Sequence, residues 1–124
     1  MGSKRGFRED LGFSCDSNAE ANVARVLKYL NIEFEPYSIH KRKIQLKHLG
    51  LKNSKGDPIC WMEPDFYLPK DDCFIEVKQG WSSFAENDRL RLIGALKEGV
   101  KIIEVVGPMY KILEKTFKDK VEWE

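Results

Sequence analysis

Residues 63–79 constrain the fold of this chain more than any other stretch. They read Glu-Pro-Asp-Phe-Tyr-Leu-Pro-Lys-Asp-Asp-Cys-Phe-Ile-Glu-Val-Lys-Gln. Two β-prone runs, Phe66-Tyr67-Leu68 and Phe74-Ile75-Glu76-Val77, flank the turn material Pro69-Lys70-Asp71-Asp72. A loop of that length predicts a hairpin in which Leu68 faces Cys73, Tyr67 faces Phe74, Phe66 faces Ile75 and Asp65 faces Glu76. Lys78 lies two residues beyond Glu76 and shares its face, while Ile75 and Val77 turn to the other. Two carboxylates set opposite each other repel unless one takes up a proton or a cation lies between them. A hard divalent cation is held by one or two carboxylates, with water or phosphate oxygens in its other positions. A lysine beside it orients or activates water and stabilises charge on phosphate. Solvent-facing strand residues, with Lys78 offsetting the repulsion, would account for the carboxylate pair taken alone.

Around the hairpin the pattern alternates between helix and strand. Ser17 and Glu20 have the spacing of a capping box, and Val23, Val26, Leu27 and Leu30 follow at helical intervals. They predict a helix from about residue 18 to residue 30, stopped by Asn31. Glu20 sits at the N-terminal end of that apolar stripe, facing inward, where a capping role would also explain it. Ile32–Ile39 alternates apolar and acidic residues and predicts a strand, with Pro36 at an edge or a bulge. Ile44, Leu46, Leu49 and Leu51 suit either a short strand or a loop packed on the core. Pro64 predicts an irregularity immediately before Asp65. Ser83 and Glu86 repeat the capping pattern before a helix that ends near Glu98 and Gly99. Ile102–Val106 is a strong strand, and the helical crossover makes it parallel to the strand of Glu76. Pro108 opens a last helix through Tyr110, Leu113 and Phe117.

With 124 residues, the chain suits one core of a sheet and a few helices, leaving no room for a separate recognition domain. Residues 1–15 read as a flexible basic arm carrying Lys4, Arg5 and Arg8, and residues 16–124 as one domain. The sequence shows neither a membrane-length apolar run nor the apolar stretch of a signal peptide. Cys15, Cys60 and Cys73 form no Cys-x-x-Cys pair, which argues against a zinc or redox site and for a reduced, cytoplasmic setting. The net charge of +1 points to no partner, but its distribution does. Lys41, Arg42, Lys43, Lys47, Lys52 and Lys55 fall in a stretch with no acidic residue, which suits contact with phosphates as well as a solvated loop. His40 and His48 read as surface residues.

Pro64-Asp65 followed by Glu76-Val77-Lys78, with an apolar middle residue in the second part, resembles the signature of the PD-(D/E)xK nuclease superfamily. The element order, helix, strand, hairpin, helix, strand, is similar to that family's αβββαβ restriction-endonuclease-like core, a mixed central sheet flanked by helices. The resemblance covers roughly residues 16–107. It implies a metal-dependent DNA endonuclease in which Asp65 and Glu76, with the Val77 carbonyl, hold Mg²⁺, for which Mn²⁺ substitutes. Glu20 matches the early-helix carboxylate of many members, supporting metal directly or through water, and Lys78 matches the lysine that positions the attacking water. Gln79 would hold water or phosphate. Arg89 and Arg91, on the helix after the lysine strand, join Lys41, Arg42, Lys43 and Lys47 as expected nucleic-acid contacts. Among small single-domain members the pattern looks most like homodimeric Holliday-junction resolvases of DNA recombination and repair, acting on branched DNA. A nicking or mismatch-repair endonuclease, and a binding module that kept the fold without turnover, are the alternatives.

Overall fold

The computed structural model describes residues 4–78 and 86–124. A hairpin of β1 (Gly6–Arg8) and β2 (Phe13–Cys15) leads to α1 (Asn18–Tyr29). Then come β3 (Glu35–Pro36), the one-turn α2 (Tyr37–His40), β4 (Ile44–Gln45), a tight helical turn at Lys47–Leu49, and β5 (Trp61–Met62). The chain closes with β6 (Phe66–Leu68), β7 (Cys73–Val77), α3 (Glu86–Lys97), β8 (Ile102–Val105) and α4 (Gly107–Phe117).

The centre is a mixed sheet in the order β3-β6-β7-β8. β6 and β7 pair antiparallel in the expected register, with Phe66 opposite Ile75, Tyr67 opposite Phe74 and Leu68 opposite Cys73. β8 runs parallel to β7, from Phe74 beside Ile102 to Val77 beside Val105. β3 is an edge strand, where Pro36 removes no ladder donor that the sheet interior requires. The period of two along β6 and β7 divides the core between the faces. Phe66, Leu68, Cys73, Ile75 and Val77 pack against Ala19, Val23 and Leu27 of α1 and Tyr110 of α4. Tyr67 and Phe74 pack against Ile44, Leu46, Met62 and Ala95. With cover on both sides every residue of β7 is buried, Glu76 included. Ile44, Leu46, Leu49 and Leu51 thus supply both expected outcomes, a short strand and apolar packing beside it. This lobe meets α3 at Gly94, where an added Cβ would lie 2.9 Å from a Leu46 methyl carbon and 3.2 Å from one of Leu51.

The helix α1 begins as expected, with Ser17 Oγ accepting the Glu20 N–H at 3.1 Å. Asn31 follows it at φ 57°, a left-handed position that asparagine tolerates. Two expectations are corrected. The segment read as an irregular basic arm is, from Gly6 to Cys15, a hairpin closed by Gly12 at φ 82°. Its Arg8 is buried, 7% exposed, because the Glu124 carboxylate accepts from its guanidinium at 2.9 and 3.0 Å. The strand expected over Ile32–Ile39 is confined to Glu35–Pro36: the Tyr37 N–H still reaches the Asp65 carbonyl opposite, but the Tyr37 carbonyl accepts the Lys41 N–H as the chain turns into α2. The last residues fold back, with the Trp123 ring 5.6 Å from Tyr110. Glu124 also pairs with Arg25 at 2.9 Å, and Asp10 grips the same guanidinium at 2.8 and 3.1 Å. Of the second capping pattern, Ser83 lies outside the described residues, and the Glu86 carboxylate accepts from the N–H and Oγ of Ser54.

Candidate active site

Asp65 lies one residue before β6, at the irregularity that Pro64 introduces, and two hydrogen bonds hold the backbone there. Tyr37 N–H donates to the Asp65 carbonyl at 3.0 Å. His40 Nε2 donates to the Pro64 carbonyl at 3.1 Å, while its Nδ1 accepts the Arg42 N–H at 2.8 Å. Those two bonds assign the neutral Nε2–H form of the ring. Burial among Tyr37, Tyr67 and Phe74 pulls the imidazole pKa below its ordinary value. His40 is therefore a half-buried support of the loop before Asp65 rather than a surface residue. His48 is exposed, as expected, and pairs with Glu98 at 3.0 Å.

The Asp65 and Glu76 carboxylates meet across the end of the hairpin. Asp65 N–H donates to Glu76 Oε1 at 3.1 Å, and Val77 N–H donates to Asp65 Oδ2 at 2.7 Å. The neighbouring Lys78 ammonium is 3.4 Å from Glu76 Oε2. Glu20 completes the acidic group from α1, its Oε2 accepting the Asp16 N–H at 3.3 Å. Enclosure pushes the Asp65 carboxyl well above its usual range, and the charges of Glu76 and Glu20 push it further. Glu20 is raised by burial, and the charges of Asp16 and Glu76 add to this. Glu20 is thus a helix-terminal residue that also feels the hairpin carboxylates. Val77 presents its N–H to Asp65, and Gln79 lies outside the described residues.

Among the described residues, no group of three or more His, Cys, Asp or Glu side chains is arranged to hold a metal ion. Mg²⁺ needs fewer, since one or two carboxylates with water suffice. Asp65 and Glu76 fit it by donor chemistry. A cation there would neutralise the charges that Glu76 and Glu20 turn toward Asp65.

The helix α3 adds a residue that sequence reasoning missed. Asp88 Oδ1 lies 3.4 Å from the Lys78 ammonium and 3.1 Å from Arg91 Nη1. Lys78 is therefore suspended between Glu76 and Asp88. Burial opposes its charge, but Glu76, Asp88 and Asp65 outweigh burial and hold the pKa above the ordinary lysine value. Glu104, beside Glu76 in the parallel pair, is raised by burial and by the charges of Glu76 and Asp88, against the pull of Lys78. Glu76, Lys78, Asp88 and Arg91 line a cleft of about 260 Å³ together with Trp61 and Glu63. Glu63 also lines a neighbouring hollow of about 290 Å³ with Glu20 and Asp65. An acidic residue one turn into the following helix was the available signal for Asp88, and an aromatic residue just before the motif was the signal for Trp61.

The expected nucleic-acid contacts divide. Arg91 lines the cleft, and Lys43 reaches its rim, 3.6 Å from Glu63 and 4.8 Å over the Trp61 ring. Arg42 stacks on Tyr67, 4.2 Å from the ring centroid. Lys41 and Lys47 are exposed on the lobe, and Arg89 is exposed on α3. A larger hollow of about 700 Å³ lies beside Arg8 and Arg25, whose charges Glu124 and Asp10 already meet. No helix among the described residues is long and apolar enough to cross a membrane. Comparison with known proteins found no matching family model, curated protein or solved structure.

Proposed function

We propose that this chain is a divalent-metal-dependent DNA endonuclease of the PD-(D/E)xK kind, acting as a homodimer on branched DNA such as four-way junctions. The observation that carries the reading is the Lys78 ammonium, 3.4 Å from both Glu76 and Asp88, beside the paired Asp65 and Glu76 carboxylates. Asp65 and Glu76 would hold Mg²⁺, which when bound supplies a more acidic water and neutralises charge on the phosphate. Lys78 orients the attacking water and stabilises the charge that develops on phosphorus-bound oxygens. Asp88 and Glu76 keep that ammonium charged and fixed in place. Glu20 restrains the acidic side of the site, and Arg91 offers a phosphate contact at the cleft wall.

The test is cleavage of labelled four-way-junction, flap, nicked and linear duplex DNA with Mg²⁺ or Mn²⁺, alongside Glu76→Ala and Lys78→Ala. Paired, symmetric junction cuts that vanish in both variants support the whole reading. Cutting of other substrates keeps the site and removes the junction preference. One feature favours a second reading, a DNA-binding module without turnover. Both hairpin carboxylates already accept backbone N–H groups. DNA binding without cutting by the unaltered protein, in either metal, would establish that reading instead.

A further inference from the structure

We infer that Trp61 is a stacking platform for an unpaired nucleobase beside the candidate active site. The inference rests on the nucleic-acid reading above and specifies what the cleft selects. In β5 the two side chains part company, Met62 going into the core at 3% exposed and Trp61 standing out at 47%. The core is sealed by Met62, so the indole is not needed as its cover. Trp61 is the aromatic residue, among the described ones, that lines the cleft of Lys78, Asp88 and Arg91. Its cross-strand partner Gln45 is exposed, leaving this side of the small β4–β5 sheet open to solvent. The Lys43 ammonium lies 4.8 Å over the ring, so a cation is already drawn to its π face. Other exposed aromatic residues, such as Phe7 and Tyr29, belong to β1 and to the end of α1, and neither lines this cleft.

An indole flanked by Lys43, Lys78 and Arg91 matches the pairing used for single-stranded nucleic acid, an aromatic face for the base and cations for the backbone. A base inside a duplex has both faces covered by its neighbours. Only a base splayed out at a branch, gap or end offers a free face to Trp61. The platform therefore gives a physical basis for choosing DNA with an unstacked base at a branch, gap or end over continuous duplex, without reading sequence.

The experiment places 2-aminopurine as an unpaired base at the branch of a forked duplex, and within a fully paired duplex as control. Binding is measured in EDTA, so that no cleavage intervenes. The unaltered protein should quench the fork signal. Trp61→Ala should abolish the quench and weaken fork binding about 10-fold, leaving duplex affinity within about twofold. Trp61→Phe should keep most of both effects, and Trp61→Leu serves in place of alanine if that variant does not fold. Equal losses on fork and duplex, or an unchanged quench in the non-aromatic variants, would overturn the platform. Quenching by a protein that cuts nothing in Mg²⁺ would uphold the platform and remove the nuclease reading. Cutting without quenching would do the reverse.

Discussion

Replacing Asp65 with asparagine should make the metal-free protein more stable and the metal-loaded protein less so. The Asp65 carboxyl is enclosed and faces the charges of Glu76 and Glu20. Two unit charges about 5 Å apart repel by about 3 kcal/mol at an effective dielectric near 20. The Val77 hydrogen bond at 2.7 Å and the Lys78 ammonium offset much of that. Asparagine keeps an acceptor for Val77 N–H, gains a donor for the neighbouring carboxylates and loses the charge. A net gain of about 1 kcal/mol corresponds to about 4 °C in Tm for a chain of 124 residues. Mg²⁺ at roughly 100 times its Kd should stabilise the unaltered protein by about 2.7 kcal/mol, near 10 °C, and Asp65→Asn far less. Circular dichroism melts at pH 7 in EDTA and in Mg²⁺ would show the crossing. The acid response gives a second check. A carboxyl whose folded pKa is raised above its unfolded value of 3.8 destabilises the fold while ionised, so acidification toward 3.8 should recover more stability in the unaltered protein than in Asp65→Asn, where Glu20 and Glu104 alone keep raised values. If Asp65→Asn melts at or below the unaltered protein in EDTA, the repulsion argument fails.

Three further outcomes are expected. Glu124→Gln should cost about 2–4 kcal/mol by denaturant melt, because Arg8 and Arg25, 7% and 5% exposed, lose the carboxylate they share. The hydrogen bond from Arg8 holds the Glu124 pKa below its ordinary 4.5, and Arg25 does the same to Asp10 below 3.8. Their stabilisation is complete above those values and lost as pH falls through the lowered ones, so the variant should show a shallower acid loss. Gly94→Val should destabilise by about 1–3 kcal/mol, since even a Cβ comes within 2.9 Å of buried Leu46, and a thermal melt reads it. Neutralising Lys41, Arg42 and Lys43 together should weaken DNA binding evenly across sequences and flatten its salt dependence; an unchanged slope would remove the lobe from the interface.

The hairpin register from Phe66 to Val77 was legible because turn residues and a period of two specify it locally. The parallel β8 followed from the helix between the strands. What escaped sequence reading depends on contacts distant in the chain. Arg8 looked like part of a loose basic arm, but a carboxylate 116 residues away meets its charge, and the oxygens of Gly6, Lys4 and Asn18 take its other N–H groups. The strand after α1 stops early because the Tyr37 carbonyl turns to the Lys41 N–H in α2 instead of continuing the ladder. Asp65, Glu76 and Lys78 could be grouped from spacing on one hairpin. Asp88 joins them only through the packing of α3 on the sheet, and Trp61 only because the β4–β5 lobe folds alongside.

That lobe leaves the sheet after Pro36 and returns just before Phe66, and these two residues are direct cross-strand partners. The basic segment, the exposed tryptophan and the support of Asp65 are thus carried on a detour whose two ends are already neighbours. Lengthening or shortening the detour need not shift the pairing of β3 with β6, nor the register of β6 on β7. Evolution or engineering can therefore recast the surface offered to a partner while the carboxylates and lysine of the hairpin keep their places. Such a replacement would still have to match α3 at Gly94 and at the contacts of Asn53 with Asn87 and Ser54 with Glu86.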